Sequence, residues 1–309
     1  MSKPKLQHYL PVCYLDGFSR NGKLWVFDRD KYEYRPQGTR NTAAEKHFYT
    51  LTGKDGDQDF VVERWLSEKV ETHFPPLLRK LENAEPLTPY DKTRLGLFIS
   101  VLKVRTPEFA RNFTRMASDL MKLKLVYACR IPEIAQRFLK DAPESIKAEY
   151  NVENFAEFAQ KHITVKPHSN ERLRNMLRLA LRHQKYIRSM DWIVYHSPPE
   201  TSFVTTDAPF VIVPSPDHGG PFGLLTPNTL KIVPLSGRIC LMMTEPGTAI
   251  THRDLTREQV REFNRVLACD CERFLIGRDE ALVRSLVAST EIDAPRSPFR
   301  ADTAAKFRT

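Results

Sequence analysis

The sequence has no apolar run approaching the roughly 20 residues that a membrane helix requires, which excludes an integral helical membrane protein. Between Met1 and Pro11 there is no apolar stretch of signal-peptide length either, so retention in the cytoplasm is expected, with no membrane partner. Cysteine is scarce: Cys13, Cys129, Cys240, Cys269 and Cys271 form an odd set of five, and no pair has the two-residue spacing of a zinc or thioredoxin-like site. Reduced, mostly buried thiols are expected instead of a disulfide frame. Cys269 and Cys271 lie two apart in an expected helix and point to different faces, so they cannot chelate one metal together. Internal repeats are lacking. So are His-Glu-x-x-His, Gly-x-Ser-x-Gly and paired-glycine nucleotide fingerprints, which disfavours the common signature enzymes.

What is present suits a globular protein. The chain has 309 residues, 41% of them apolar, enough to build a sizeable core. Its net charge of +9 and pI near 9.3 allow a polyanionic partner such as nucleic acid. Part of that charge sits in the tail from Glu291 to Thr309, where Arg296, Arg300, Lys306 and Arg308 accompany Pro295 and Pro298 without helical or strand period. The tail is expected to be disordered.

Periodicity divides the remainder. To about Asp59 the pattern predicts a hairpin or small sheet, with Leu24–Asp28 and Tyr32–Arg35 as strands after an Asn21-Gly22 turn. Helical period follows over about residues 60–190. Thr88-Pro89-Tyr90-Asp91 predicts a helix start: a capping hydroxyl, a proline at the first position and an acid at the positive end of the dipole. Thr106-Pro107-Glu108 repeats the signature, placing Arg105 where one helix gives way to the next. Further helices are expected over Ile131–Leu139, Val152–Lys161 and Asn170–Ser189. From about residue 191 to 245 the period falls to two, with strands expected at Asp191–His196, Ser202–Thr206, Phe210–Pro214, Leu230–Pro234 and Arg238–Thr244. Thr256-Arg257-Glu258-Gln259 is a capping-box pattern that opens a closing helix expected to reach about Ile276. This segregation predicts an α+β fold with a largely antiparallel sheet, in one domain over about residues 1–290.

Two motif-like segments fail on context. Gly17 to Lys23 has the spacing of a phosphate-binding loop, but Leu24 supplies no hydroxyl for magnesium, and the segment leads into a strand where such a loop must open a helix. His183-Gln184-Lys185 resembles the histidine-lysine core of phospholipase-type phosphodiesterases, yet Asp191 is one residue off the expected spacing and no second copy exists. In the same helix Arg174, Arg178 and Arg182 recur every four residues, with Lys185 one turn on and no acid between them. They form a cationic stripe: a phosphate-contact surface on one reading, a solvated face paired with acids elsewhere on the other.

Several segments, in order, carry a wider signal. Gln7-His8-Tyr9-Leu10-Pro11-Val12-Cys13-Tyr14-Leu15-Asp16-Gly17-Phe18 precedes Asn21-Gly22-Lys23-Leu24-Trp25-Val26-Phe27-Asp28. Ala44 to Tyr49, Val62 to Ser67 and Leu97 to Pro107 follow, then Phe203 to Phe210, Val233 to Ser236 and Asn264. Together they resemble a large bacterial family known as domain of unknown function 4238 over nearly the whole chain. Thr206 departs from it, since the family more often has Ser before the Asp; either hydroxyl can make the same turn contact. The resemblance implies homology and carries no activity with it.

Six polar positions fall in these segments: His8, Tyr49, Glu63, Arg105, Asp207 and Asn264. Each has a structural reading: His8 on a backbone carbonyl, Tyr49 as a core aromatic, Asn264 as a core bridge, Arg105 on helix-end carbonyls or on Glu63, Asp207 in a self-capping turn. As a set they suffice for acid–base hydrolysis of a charged ester if they converge. His8 is then general acid or base, Asp207 and Glu63 its orienters or ligands of a divalent metal, and Arg105 an anion clamp, although no local spacing supports a metal. The expectation is a hydrolase or nuclease-like enzyme acting on a phosphate-bearing substrate. The alternative is a non-catalytic module for nucleic acid or a protein partner, with these residues as a buried polar network.

Overall fold

The computed structural model describes residues 6–290 except 54, 56 and 216, so the tail expected to be disordered lies outside the described residues. The chain opens with strand β1 (Leu6–His8), helix α1 (Val12–Asp16) and strands β2 (Lys23–Asp28), β3 (Glu33–Gly38), β4 (Ala44–Lys46), β5 (Leu51–Thr52) and β6 (Gln58–Asp59). Helices follow: α2 (Val61–Lys69), α3 (Phe74–Glu82), α4 (Pro89–Val104), α5 (Pro107–Ala128), α6 (Pro132–Lys140), α7 (Glu144–Glu149), α8 (Phe155–His162) and α9 (Ser169–Arg188). Strands β7 (Met190–His196), β8 (Thr205–Thr206), β9 (Val211–Val213), β10 (Leu230–Pro234), β11 (Ile239–Pro246) and β12 (Ile250–Asp254) then precede α10 (Arg257–Cys269), β13 (Phe274–Gly277) and α11 (Glu280–Ser289). The fold is α+β. Among the described residues no helix is long and apolar enough to cross a membrane.

Local chemistry sets the boundaries. Thr88 accepts from the Asp91 N–H (3.1 Å) while Asp91 accepts from the Thr88 N–H (3.0 Å), closing a capping box with Pro89 at the first helical position. Thr256 and Gln259 close a second box on α10. Asn21 and Gly22 both have positive φ, 53° and 71°, as a tight turn that matches strand twist demands, and the segment from Gly17 leads into β2 without opening a helix.

The chain divides into two compact units, Met1–Glu108 with Asn175–Thr309, and Phe109–Arg174. The first holds both larger sheets. One has the order β12-β7-β11-β10-β9, antiparallel except for the β12–β7 pair, and the other the order β3-β2-β13-β8, antiparallel throughout. Strand β10 is buried at every position, Lys231 included, and β11 over its first five, where residues 239–243 form a continuous apolar run. The second unit is helical, with Val126, Cys129, Ala135, Phe155 and Ala159 at the centre of its core.

The closing helix stops at Cys269, short of the expected Ile276. Phe274 to Gly277 instead pair with Trp25 to Asp28, and Leu275 and Ile276 also with β8, because this β-rich run fills the gap between two strands far off in sequence. All five cysteines are free thiols.

Candidate functional site

Strand β1 pairs antiparallel with β4, His8 opposite Ala44, and alternation sends Gln7 inward and His8 to the rim of an open cleft of about 450 Å3. Helix α1 contributes Cys13 and Asp16 to that cleft, and α2 contributes Glu63. The 3-10 turn Glu71–His73 supplies Glu71, and the C-cap of α4 supplies Arg105, with Tyr49 beside it. Residues from segments up to 97 positions apart are thus brought to one place, and the bonds that hold them are specific.

Arg105 is 2% exposed. Its Nη1 donates to Glu71 Oε1 (2.8 Å), its Nε to the Tyr49 hydroxyl (3.1 Å) and its Nη2 to the His8 carbonyl (2.5 Å). The Tyr49 hydroxyl donates in turn to the Arg105 carbonyl (3.1 Å), and the guanidinium lies over the Tyr49 ring. Burial opposes the cation, but Tyr49 and the Glu71 carboxylate outweigh it and push the pKa above the ordinary guanidinium value.

Gln7 is fully buried and uses both ends of its amide. Its Oε1 accepts from the Tyr49 N–H (2.5 Å), and its Nε2 donates to Glu63 Oε2 (2.8 Å) and Thr50 Oγ1 (3.3 Å). The Glu63 carboxylate is oriented by that amide. Burial raises its pKa, the Gln7 bond works against the rise, and the nearby Glu71 charge adds to it. His8 Nε2 lies 2.8 Å from the Arg40 carbonyl, an acceptor only, so the ring proton sits on Nε2 and the neutral ring keeps its lone pair on Nδ1. Burial pushes the Cys13 thiol up to about 12, so it is no thiolate nucleophile at neutral pH.

The structure brings four of the six sequence-matched polar residues to the cleft and puts two elsewhere. Asp207 is 3% exposed, and its carboxylate accepts from the Glu272 N–H (3.1 Å) and the Arg273 N–H (2.9 Å), anchoring the turn before β13. It does not line the cleft, so the expected partnership with His8 and Glu63 is corrected: backbone amides occupy the carboxylate. Thr206 makes the expected turn contact, accepting from the Ala208 N–H. Asn264 bridges the backbone of the segment before β8, accepting from the Val204 N–H and donating to the Ser202 carbonyl, both at 2.9 Å. That side chain stands in for a neighbouring strand, and so β8 is shorter than its apolar run predicts.

Glu71 and Asp16 line the cleft, and Gln7 braces it from the interior; sequence reasoning singled out none of the three. Gln7 lies within the family-like opening segment, and its place next to His8 on a strand was the available signal. Among the described residues no three His, Cys, Asp or Glu side chains are grouped to hold a metal ion, and the suggested set His8, Glu63 and Asp207 is not assembled. On α9, Arg174, Arg178, Arg182 and Lys185 are all exposed. Arg174 pairs with Glu171 (2.8 Å), and no described carboxylate pairs with the other three.

The family model described as Protein of unknown function (DUF4238) matches residues 6–281, so the chain belongs to that family. No curated protein and no solved structure matches it.

Proposed function

We propose that this family member is a hydrolase whose acid–base chemistry is carried by the cleft at His8 and Glu63, with Arg105 as the positioning residue behind them. The observation that supports this most is the convergence: a titratable imidazole with a free lone pair and a carboxylic acid of raised pKa line one open cleft, the first oriented by the Arg40 carbonyl and the second by the buried Gln7 amide. In this reading His8 Nδ1 takes a proton from the attacking water, and Glu63 gives one to the leaving atom. Arg105 spends its guanidinium on Tyr49, Glu71 and the His8 carbonyl, which fixes the position of His8 and Glu71.

The cleft's own charge argues for a revised substrate class. Even with Glu63 protonated, Asp16 and Glu71 outnumber Arg105 there, so a neutral or cationic substrate is favoured over the phosphate-bearing one that the net charge of the chain suggests. Screening uncharged and cationic ester and amide substrates against wild type, His8→Ala and Glu63→Gln tests the reading. Loss of turnover in both variants, with rates in the wild type falling toward alkali as Glu63 loses the proton it must donate, is expected. Unchanged turnover in folded variants removes it.

The second reading, a module that binds nucleic acid, rests on the exposed and carboxylate-free Arg178, Arg182 and Lys185. It predicts an affinity that falls steeply with salt and weakens when Arg174, Arg178 and Arg182 are replaced together. A salt-independent affinity, or an unaltered one in that variant, refutes it.

A further inference from the structure

A second cavity, of about 570 Å3, opens between α9 and the loop Gly223–Pro227, and its chemistry is opposite to that of the cleft. Leu179, Arg182, His183 and Tyr186 recur at helical spacing and form one continuous strip of α9 along its wall. Leu224 and Leu225 line it from the loop, and among the described residues no carboxylate lines the space. We infer that this cavity is a binding site for a small carboxylate with an apolar body.

Three side-chain donors stand on the strip with no partner among the described residues. His183 Nδ1 is sealed from solvent and has no hydrogen bond, a position where a lone pair is tolerated far better than an N–H. The ring proton is therefore left to Nε2, which likewise bonds no described residue. Burial, then the nearby cations Lys103 and Arg182, push the imidazole pKa down to about 4, so the ring enters a complex as a neutral donor. Arg182 supplies the full positive charge. The Tyr186 hydroxyl is a further donor one turn along. One guanidinium flanked by neutral donors suits a monoanion, and the leucines suit an apolar tail, a combination that a compact multivalent anion does not use.

The test is a titration of the full chain followed by the imidazole signal of His183 in a 1H–13C correlation spectrum, assigned with His183→Gln. Probes are sodium hexanoate, hexylammonium chloride and inorganic phosphate at equal ionic strength. Saturable binding of hexanoate alone is expected, with the imidazole pKa rising by about one unit or more because an adjacent anion favours the cation. Arg182→Gln, an exposed substitution, is expected to weaken hexanoate at least about tenfold, and Tyr186→Phe to weaken it less. Glu63→Gln leaves it unchanged, which separates this site from the cleft. Unsaturable shifts, an equal response to hexylammonium, tighter binding of phosphate, or equal affinity in Arg182→Gln each overturn the assignment.

Discussion

Replacing Arg105 by Met keeps the aliphatic stem and removes a charge that three groups depend on. The His8 carbonyl loses its 2.5 Å donor, and a buried acceptor left unpaired costs about 1–3 kcal/mol. Glu71 loses its counter-ion; breaking a buried pair costs about 3–5 kcal/mol, but Glu71 is 24% exposed and regains part of its hydration. Tyr49 keeps its role as donor to the residue 105 carbonyl, so it adds little beyond the lost cation–π contact of roughly 1 kcal/mol. The sum, discounted for that rehydration and for non-additivity among neighbours, is about 4 kcal/mol, a large share of the typical stability of roughly 5–15 kcal/mol. Urea unfolding followed by tryptophan fluorescence measures it. Adding Glu71→Gln to the Met variant removes the stranded carboxylate and is expected to restore about 1–2 kcal/mol, whereas Glu71→Gln alone destabilises. A cost under about 1 kcal/mol for Arg105→Met, or a double variant no more stable than the single, refutes the argument that the guanidinium neutralises Glu71 and ties down β1.

Three further outcomes follow from features away from Arg105. Asn264→Leu strands the Val204 N–H and the Ser202 carbonyl, and a loss of about 2–4 kcal/mol is expected in urea unfolding; a loss below about 1 kcal/mol contradicts the strand-substitute role. His196 Nε2 and His252 Nδ1 lie 2.8 Å apart, and burial lowers both pKa values below the ordinary imidazole value of 6.5, with His196 lowering that of His252 further. Because the unfolded chain binds these protons more readily, their contribution is lost as pH falls below about 6.5 toward the folded values. The stability advantage of wild type over His252→Gln should accordingly shrink between pH 7.5 and 5, and a constant difference counts against it. Thr88→Ala removes one arm of the capping box on α4 and is expected to cost about 1 kcal/mol by thermal unfolding, with no change after Thr93→Ala as the control for a mere hydroxyl loss at the same helix end.

Local rules made two helix starts legible. Thr88-Pro89 and Thr256 to Gln259 carry their caps in the sequence, and the helix starts they predict are where the chain turns helical. What was hidden was set by partners distant along the chain. Phe274 to Gly277 form a strand only because β2 and β8 flank them, and Ser202 to Val204 fail to form one because Asn264 takes their hydrogen bonds. The same holds at the cleft. His8, Tyr49, Glu63 and Arg105 stand out within the family-like segments, but nothing in their spacing says that Gln7 binds two of them or that Glu71 is the counter-ion of Arg105. Asp207 has the same composition as an active-site carboxylate and is consumed by two amides that only the fold supplies.

Strand β1 is three residues long, and its pairing sets Leu6 against Lys46, Gln7 against Glu45 and His8 against Ala44. A displacement of that pairing by a single residue would exchange the two sides of the strand: the amide would enter the cleft, and the imidazole would face the interior where Glu63, Thr50 and the Tyr49 amide await a partner. The connection from Tyr9 to Ala43 can lengthen or shorten without this consequence so long as the pairing holds, whereas a slip of β1 by one residue against β4 inverts the site. Odd and even changes at this strand are therefore unequal, and relatives that keep the cleft are expected to keep the parity of β1 even where the chain beyond it has drifted.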